Sequence, residues 1–106
     1  MATSIDFILY VCEQVTGEYP VRYRKMFGDY MVYLNDKPLL LVCDGTVYIK
    51  KTPEIAHLML NAETGIPYAG ARERYILDID NADLCRNVIH ILEPITALPK
   101  PKKKKP

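Results

Sequence analysis

The sequence predicts a two-layer α+β domain, with an antiparallel sheet of about five strands and three helices on one face of it. Amphipathic segments at helical spacing lie at both ends of the chain, short alternating segments lie between them, and turn residues separate those segments. With 106 residues, 49% hydrophobic and 25% charged, the composition is typical of one globular domain. We place that domain at residues 1–98.

Residues 4–16 predict the first helix, because apolar side chains recur there at helical spacing. Thr3 or Ser4 can cap its start, and Gly17 can end it. The predicted apolar stripe consists of Ile5, Ile8, Leu9, Cys12 and Val15.

Residues 21–51 predict three or four antiparallel strands in sequence. Val21, Tyr23 and Phe27 alternate with charged or long side chains, and the alternation resumes at Tyr30 after Gly28. Two turns divide the remainder, one at residues 35–38 and one at Asp44-Gly45, where both residue types tolerate positive φ.

The second half of the chain predicts a helix, a loop, a strand and a final helix. Pro53 begins the first of these helices after Thr52, with an apolar stripe of Ile55, Leu58, Met59 and Ala62. Residues 65–70 are rich in glycine and proline and predict a loop, and residues 72–79 predict a strand.

The final helix follows Asp80 or Asn81 as a cap, and Pro94 should kink or shorten its last turn. Its predicted stripe is Leu84, Val88, Ile91, Leu92 and Ile95.

Charge is distributed unevenly along the chain. Five of the fourteen basic residues lie in the last seven positions, and all thirteen acidic residues precede them. The predicted domain is therefore mildly acidic, which disfavours a large nucleic-acid footprint on its body. The Pro/Lys segment 99–106 has no apolar residue to bury, and we expect it to be disordered.

No catalytic or metal-binding set is apparent, and we predict a non-catalytic protein without a cofactor or metal. His57 and His90 are isolated in helical segments, and Asp78, Asp80 and Asp83 are better explained as helix-terminal acids than as cation ligands. The alternative of an unrecognised enzyme would place a small-ligand pocket at loop 65–71, near Arg72 and Asp78.

The cysteines and the N-terminal segment indicate the compartment. Cys12, Cys43 and Cys85 are widely spaced in apolar segments, which favours buried, reduced thiols in a cytoplasmic protein. The N-terminal segment lacks the features of a signal peptide, and no run of eighteen apolar residues predicts a membrane span.

Strand alternation gathers basic and aromatic side chains on the sheet face away from the predicted helices. Arginine and tyrosine are enriched at protein interfaces, and the same pair suits single-stranded nucleic acid. An ordinary solvated sheet face is the alternative to either interface. The candidate interface residues are Arg22, Arg24, Tyr33, Tyr48, Lys50, Arg72 and Arg74.

The lysines of the tail are a second candidate contact. They could hold RNA or DNA without reading its sequence, because point charges on flexible stems have no fixed geometry. They could equally serve solubility alone. These residues are Lys100, Lys102, Lys103, Lys104 and Lys105.

One block of the chain resembles a known family. The stretch 24–30, followed by the hairpin segments that end at Lys50, resembles the N-terminal domain of the TfoX (Sxy) family, and the looser likeness spans residues 5–95. The residues that carry the motif are Lys25, Met26, Phe27, Gly28, Tyr30 and Lys50.

The resemblance implies an α+β fold like that of secretion chaperones and a link to the regulation of bacterial competence. Two-domain relatives continue into a second domain, whereas this sequence continues into the lysine tail. The resemblance implies no catalytic residues. We therefore expect a regulatory or protein-interaction module, which binds another protein or forms a homodimer, with nucleic-acid binding as the alternative.

Overall fold

A computed structural model describes residues 3–17, 19–26 and 29–96 of the chain. Two motif residues, Phe27 and Gly28, lie outside the described residues, and so does the tail from residue 97 onward. The boundary expected at residue 98 and the expected tail disorder therefore stay predictions.

The described chain forms six antiparallel strands, two α-helices and one short 3₁₀-helix. The strands occur in the order β1-β2-β3-β4-β6-β5 across one sheet. The elements are α1 (Ile5–Val15), β1 (Val21–Met26), β2 (Asp29–Leu34), β3 (Lys37–Cys43), β4 (Thr46–Ile49), the 3₁₀-helix Pro53–Leu58, β5 (Thr64–Gly65), β6 (Arg74–Ile76) and α2 (Ala82–Ile95).

The predicted fold class is confirmed, with differences in detail. The sheet has six strands rather than about five, because Gly65, the first residue of the predicted loop 65–70, belongs with Thr64 to the two-residue strand β5. Of the predicted strand 72–79, only the three residues of β6 form a regular strand, and the residues on either side of them lack regular strand pairing.

Two tight turns produce the central hairpins, as the sequence predicts. Asn35 and Asp36 adopt φ values of 52° and 64°, and Asp44 and Gly45 adopt 50° and 72°. Both central residues of each turn are thus left-handed, which matches the right-handed twist of the flanking strands. These turns set the pairing of β2 with β3 and of β3 with β4.

Helix α1 begins and ends close to the predicted positions, and its buried face only partly coincides with the predicted stripe. Ser4 caps it by accepting a 3.2 Å hydrogen bond from the Phe7 amide. Its buried residues are Ile8, Val11 and Val15, whereas Ile5 and Leu9 of the predicted stripe are about half exposed.

Helix α2 follows the predicted cap and ends one residue after Pro94. The Asn81 side chain accepts a hydrogen bond of 3.1 Å from the Leu84 amide. Its buried face is rotated relative to the prediction and consists of Cys85, Val88, Ile89, Leu92 and Glu93.

The predicted middle α-helix is instead a single 3₁₀ segment. Pro53 starts it as predicted, but the Thr52 side chain makes no cap hydrogen bond, and its hydroxyl donates to the Lys50 carbonyl at 3.1 Å. Ile55 is fully buried and anchors the segment to the core. The backbone turns again at 59–62, before β5 pairs with β6.

The hydrophobic core lies on one side of the sheet. It joins the buried faces of both helices and Ile55 to Val32, Leu40, Val42 and Ile49 of the central strands. We call this side the helix side and the opposite side the outer face. None of the helices in the described part of the chain has the length and apolar character required to cross a membrane.

Candidate interaction surface

The strand register brings most of the predicted interface residues onto the outer face. Arg22 lies opposite Tyr33 and Arg24 opposite Met31, while Leu41 lies between Met31 and Tyr48. Directly opposed residues on neighbouring strands project to the same side of a sheet.

The same alternation assigns Arg74 to this side, because it is two residues from Ile76, the partner of Tyr48. Lys50, which directly follows β4, is two residues from Tyr48, and the alternation therefore assigns it to the same side. Arg72 is exposed in the segment before β6, outside the regular sheet.

The outer face has an apolar floor. Tyr33, Leu41 and Cys43 are 9%, 7% and 3% exposed, yet none of them belongs to the helix-side core. Long neighbouring side chains must therefore cover them, as arginine and tyrosine do when their stems and rings lie on apolar surface. The sequence carries a signal for this floor, since residues 38–43 form an apolar run that suits a strand buried on both faces.

Arg22 covers part of that floor. Its guanidinium carbon lies 4.2 Å from the centre of the Tyr33 ring, and its Nε donates to Asp36 Oδ1 at 3.0 Å. Both members of the ion pair are exposed, so the pair fixes geometry more than it adds stability. The stacked arginine presents a flat, polar-edged surface to a partner.

Tyr48 extends the outer face towards the opposite edge of the sheet. A Cβ added at Gly65 would lie 3.3 Å from Tyr48 Cε1 and 3.4 Å from Ile76 Cδ1, so the tyrosine ring reaches across β6 towards β5. Gly65 thus permits a close approach that a side chain would crowd.

A groove of about 600 Å³ extends from this face around the end of the sheet to α2. Met31, Leu41, Leu92 and Ile95 give it apolar walls. Two of the predicted cations, Lys50 and Arg74, also line it. Apolar walls with a few charged groups are typical of sites that bind side chains or ligands.

The cations on the outer face and beside the groove differ in their pairing. Lys51 donates to Glu73 Oε1 at 2.6 Å and lies 5.6 Å from the Tyr75 ring centre. Arg24, Lys50 and Arg74 have no ion pair with any residue that the structure describes.

The motif residues that the structure describes do not converge on one site. Lys25 is exposed and Met26 is half-buried at the end of β1. Tyr30 is buried on the helix side, where its ring contacts Tyr23 edge-on at 5.8 Å. The described part of the motif is thus divided between the two faces.

Burial disfavours the thiolate form of all three cysteines. Burial raises the pKa of Cys43 to about 12, with a further contribution from the Asp29 carboxylate. Burial likewise raises the pKa of Cys85 to about 11 and also raises that of Cys12. None of the three forms a disulfide, and Cys12 is only half-buried.

The acidic residues before α2 have structural partners. Asp80 accepts from the Tyr10 hydroxyl, and Asp78 Oδ1 accepts from the Asp80 amide at 3.2 Å. Asp83 lies 3.9 Å from Arg86. In the described residues no group of three or more His, Cys, Asp and Glu side chains could hold a metal ion.

A second cavity, of about 660 Å³, opens on the helix side between Phe7, the 3₁₀-helix and Leu84. His57 and Asp78 line it. Of the residues at which the sequence would place a small-ligand pocket, the loop 65–71, Arg72 and Asp78, only Asp78 lines this cavity.

The geometry describes a small α+β protein with an aromatic and cationic sheet face opposite its helices. No family model and no solved structure matches the chain. The chain is similar to the "Uncharacterized 12.7 kDa protein in trpE 5′ region" of Spirochaeta aurantia, with 29% identity over 107 residues. The match covers 99% of this chain and 93% of that protein.

Proposed function

We propose that this chain is a non-catalytic regulatory module that binds an acidic protein partner through its outer face. The observation that carries the proposal is the groove, in which Lys50 and Arg74 lie beside apolar walls without ion pairs to described residues. An acidic partner would gain charge contacts there while burying apolar surface. The regulatory part, including a link to competence, rests on the resemblance to the TfoX N-terminal domain.

Photo-crosslinking tests this proposal in the native cell. A photoreactive phenylalanine analogue at Tyr48 should give a discrete, nuclease-resistant protein adduct, and the Lys50→Glu/Arg74→Glu variant should lose it. The analogue at Arg86, which is exposed on α2, should give no such adduct. An adduct that nuclease removes, or equal adducts at both positions, would contradict the proposal.

Self-association is a distinct outcome. Light scattering at high concentration compares the wild type with the Arg24→Glu/Arg74→Glu variant. A dimeric wild type and a monomeric variant would identify the partner as a second copy of this chain. Monomers in both samples exclude a homodimer through this face.

Nucleic-acid binding is the second candidate, because the unpaired outer-face cations lie beside tyrosines that can stack on bases. Fluorescence anisotropy with single- and double-stranded probes across a salt series tests it. Deleting residues 100–106 should flatten the salt dependence if the lysines contact phosphate. An unchanged slope would exclude the tail.

A further inference from the structure

Strand β1 forms one edge of the sheet in the part of the chain that the structure describes. It is the first strand in the sheet order and pairs only with β2 within the described residues. Four consecutive residues of β1, 22–25, are exposed. Such exposure is expected of a strand that has a neighbouring strand on one side only. An open edge of this kind can accept another extended chain through its backbone groups.

The hydrogen-bond register determines which backbone groups point outward. The Asn35 amide donates to the Pro20 carbonyl at 2.8 Å, and Pro20 lies opposite Asn35 in the β1–β2 register. In an antiparallel pair, alternate residues bond to the partner strand. The even-numbered residues of β1 therefore bond to β2, and Val21, Tyr23 and Lys25 direct their N–H and C=O groups to the open edge.

The side chains of β1 define what could pair there. Arg22 and Arg24 project to the outer face, opposite Tyr33 and Met31. On the helix side, Tyr23 is 40% exposed. An added strand would therefore meet Arg22 and Arg24 on one face, and Val21, Tyr23 and the exposed Lys25 on the other.

A second copy of β1 fits this edge poorly. In an antiparallel dimer only odd-numbered residues can form the hydrogen-bonded pairs, so the register is restricted. If Tyr23 pairs with Tyr23 of the second copy, Arg22 of each copy lies opposite Arg24 of the other copy. If Tyr23 pairs with Lys25 of the second copy, the Arg24 residues of the two copies lie opposite each other. If Tyr23 pairs with Val21 of the second copy, the two Arg22 residues lie opposite each other. Like charges directly opposite each other destabilise a sheet.

We propose that β1 is a docking edge for an extended acidic segment of a partner protein, which adds as a seventh strand. Acidic side chains of that segment lie opposite Arg22 and Arg24, and apolar side chains cover Tyr23. The inference rests on the proposed function in assuming an acidic protein partner, but it uses a different surface from the groove at Lys50 and Arg74.

The probe is a fluorescein-labelled peptide of about eight residues that alternates glutamate and valine, with a lysine–valine peptide as control. Anisotropy should show binding of the glutamate peptide alone. Arg22→Glu/Arg24→Glu should weaken that binding by about tenfold and should bind the lysine peptide instead, since two opposed charge pairs are reversed. The gain of lysine-peptide binding shows that this variant is folded.

Amide hydrogen exchange measured by NMR identifies the location. The peptide should slow exchange at Val21, Tyr23 and Lys25 by at least about tenfold, because these amides acquire acceptors. Arg22 and Arg24, already bonded to β2, should change little. N-methylation of the peptide at the residues that face β1 should abolish binding, whereas N-methylation at the intervening residues should not.

The Lys50→Glu/Arg74→Glu variant separates the two proposals. If it still binds the peptide with protection of the odd-numbered amides, the edge is confirmed whatever the outcome of crosslinking. If it loses the peptide, and the wild type shows no protection at those amides, the peptide occupies the groove and the edge proposal is overturned. Absence of binding at low salt, or a peptide-free dimer that protects the same amides, overturns it as well.

Discussion

Lys37 and Glu93 join the start of β3 to the last turn of α2. The Lys37 ammonium lies 2.8 Å from Glu93 Oε2 and donates to the Glu93 backbone carbonyl, also at 2.8 Å. Asn35 Nδ2 donates to the same carboxylate oxygen at 3.0 Å. With side chains only 16% and 10% exposed, the pair is largely withdrawn from solvent and connects a hairpin turn to a helix end.

This arrangement predicts a specific loss of stability in acid. Hydrogen bonds from Lys37 and then Asn35 lower the pKa of Glu93 below its ordinary value of 4.5. The folded carboxyl thus ionises at lower pH than the unfolded one. The stabilisation is complete above pH 4.5 and is lost as the pH falls through the folded pKa.

Urea unfolding at a series of pH values measures this effect. Glu93→Gln should flatten the fall in unfolding free energy below pH 4.5 and should lower stability at neutral pH. Glu73→Gln is the control, because its pKa is also lowered, by Lys51, but its ion pair is exposed. An equal effect of the two variants would contradict the role of the Lys37–Glu93 pair.

Ile55 should contribute far more stability than its neighbour Leu60. Ile55 is fully buried and Leu60 is 80% exposed. Ile55→Ala should lower the unfolding free energy by about 2–5 kcal/mol, because it leaves a cavity in the core. Leu60→Ala should change it by less than about 0.5 kcal/mol. Thermal or urea unfolding measures both, and similar losses would show that the 3₁₀ segment is not anchored through Ile55.

The three cysteines should react in a fixed order with a thiol reagent at about pH 8. Cys43 has a pKa of about 12, so its thiolate fraction at that pH is about one part in ten thousand. Cys12, half-buried, should react first, and Cys43 and Cys85 should react only on unfolding. Mass spectrometry of partly labelled protein measures the order, and early labelling of Cys43 would show that the outer face is more open than its burial indicates.

Gly45→Ala should destabilise the second hairpin by about 1–2 kcal/mol through the backbone alone. Gly45 has a φ of 72°, and no atom lies within 4 Å of an added Cβ. A chain assembled with D-alanine at this position should recover the loss, because D-residues favour positive φ. If both enantiomers cost the same, the turn conformation is not the cause.

The hairpins were predictable because their signals are local. Asn35-Asp36 and Asp44-Gly45 specify turns from a few adjacent residues, and strand alternation then assigned Arg22, Arg24 and Tyr48 to one face. The apolar floor was not anticipated, although Leu41 lies within a continuous apolar run that indicates burial on both faces.

The errors arise where tertiary contacts decide the outcome. In α1 the stripe chosen from spacing included Leu9, but packing against the sheet and α2 buries Val11. The middle helix is short because the chain must turn at 59–62 to reach the pairing of β5 with β6, which no local pattern indicates. Glu93 is buried because Lys37 and Asn35, more than fifty residues away, satisfy its carboxylate.

The order of elements has a consequence for how this protein is made on the ribosome. Strands β1 to β4 are consecutive and can pair as soon as they leave the exit tunnel, because only a few residues of sequence separate each strand from the next. Helix α1 emerges before them, but Gln14 donates to the Ile79 carbonyl at 2.9 Å, and α1 packs on α2. Helix α1 therefore completes its packing only after α2 has been synthesised, so the nascent chain exposes part of an apolar helix face until then.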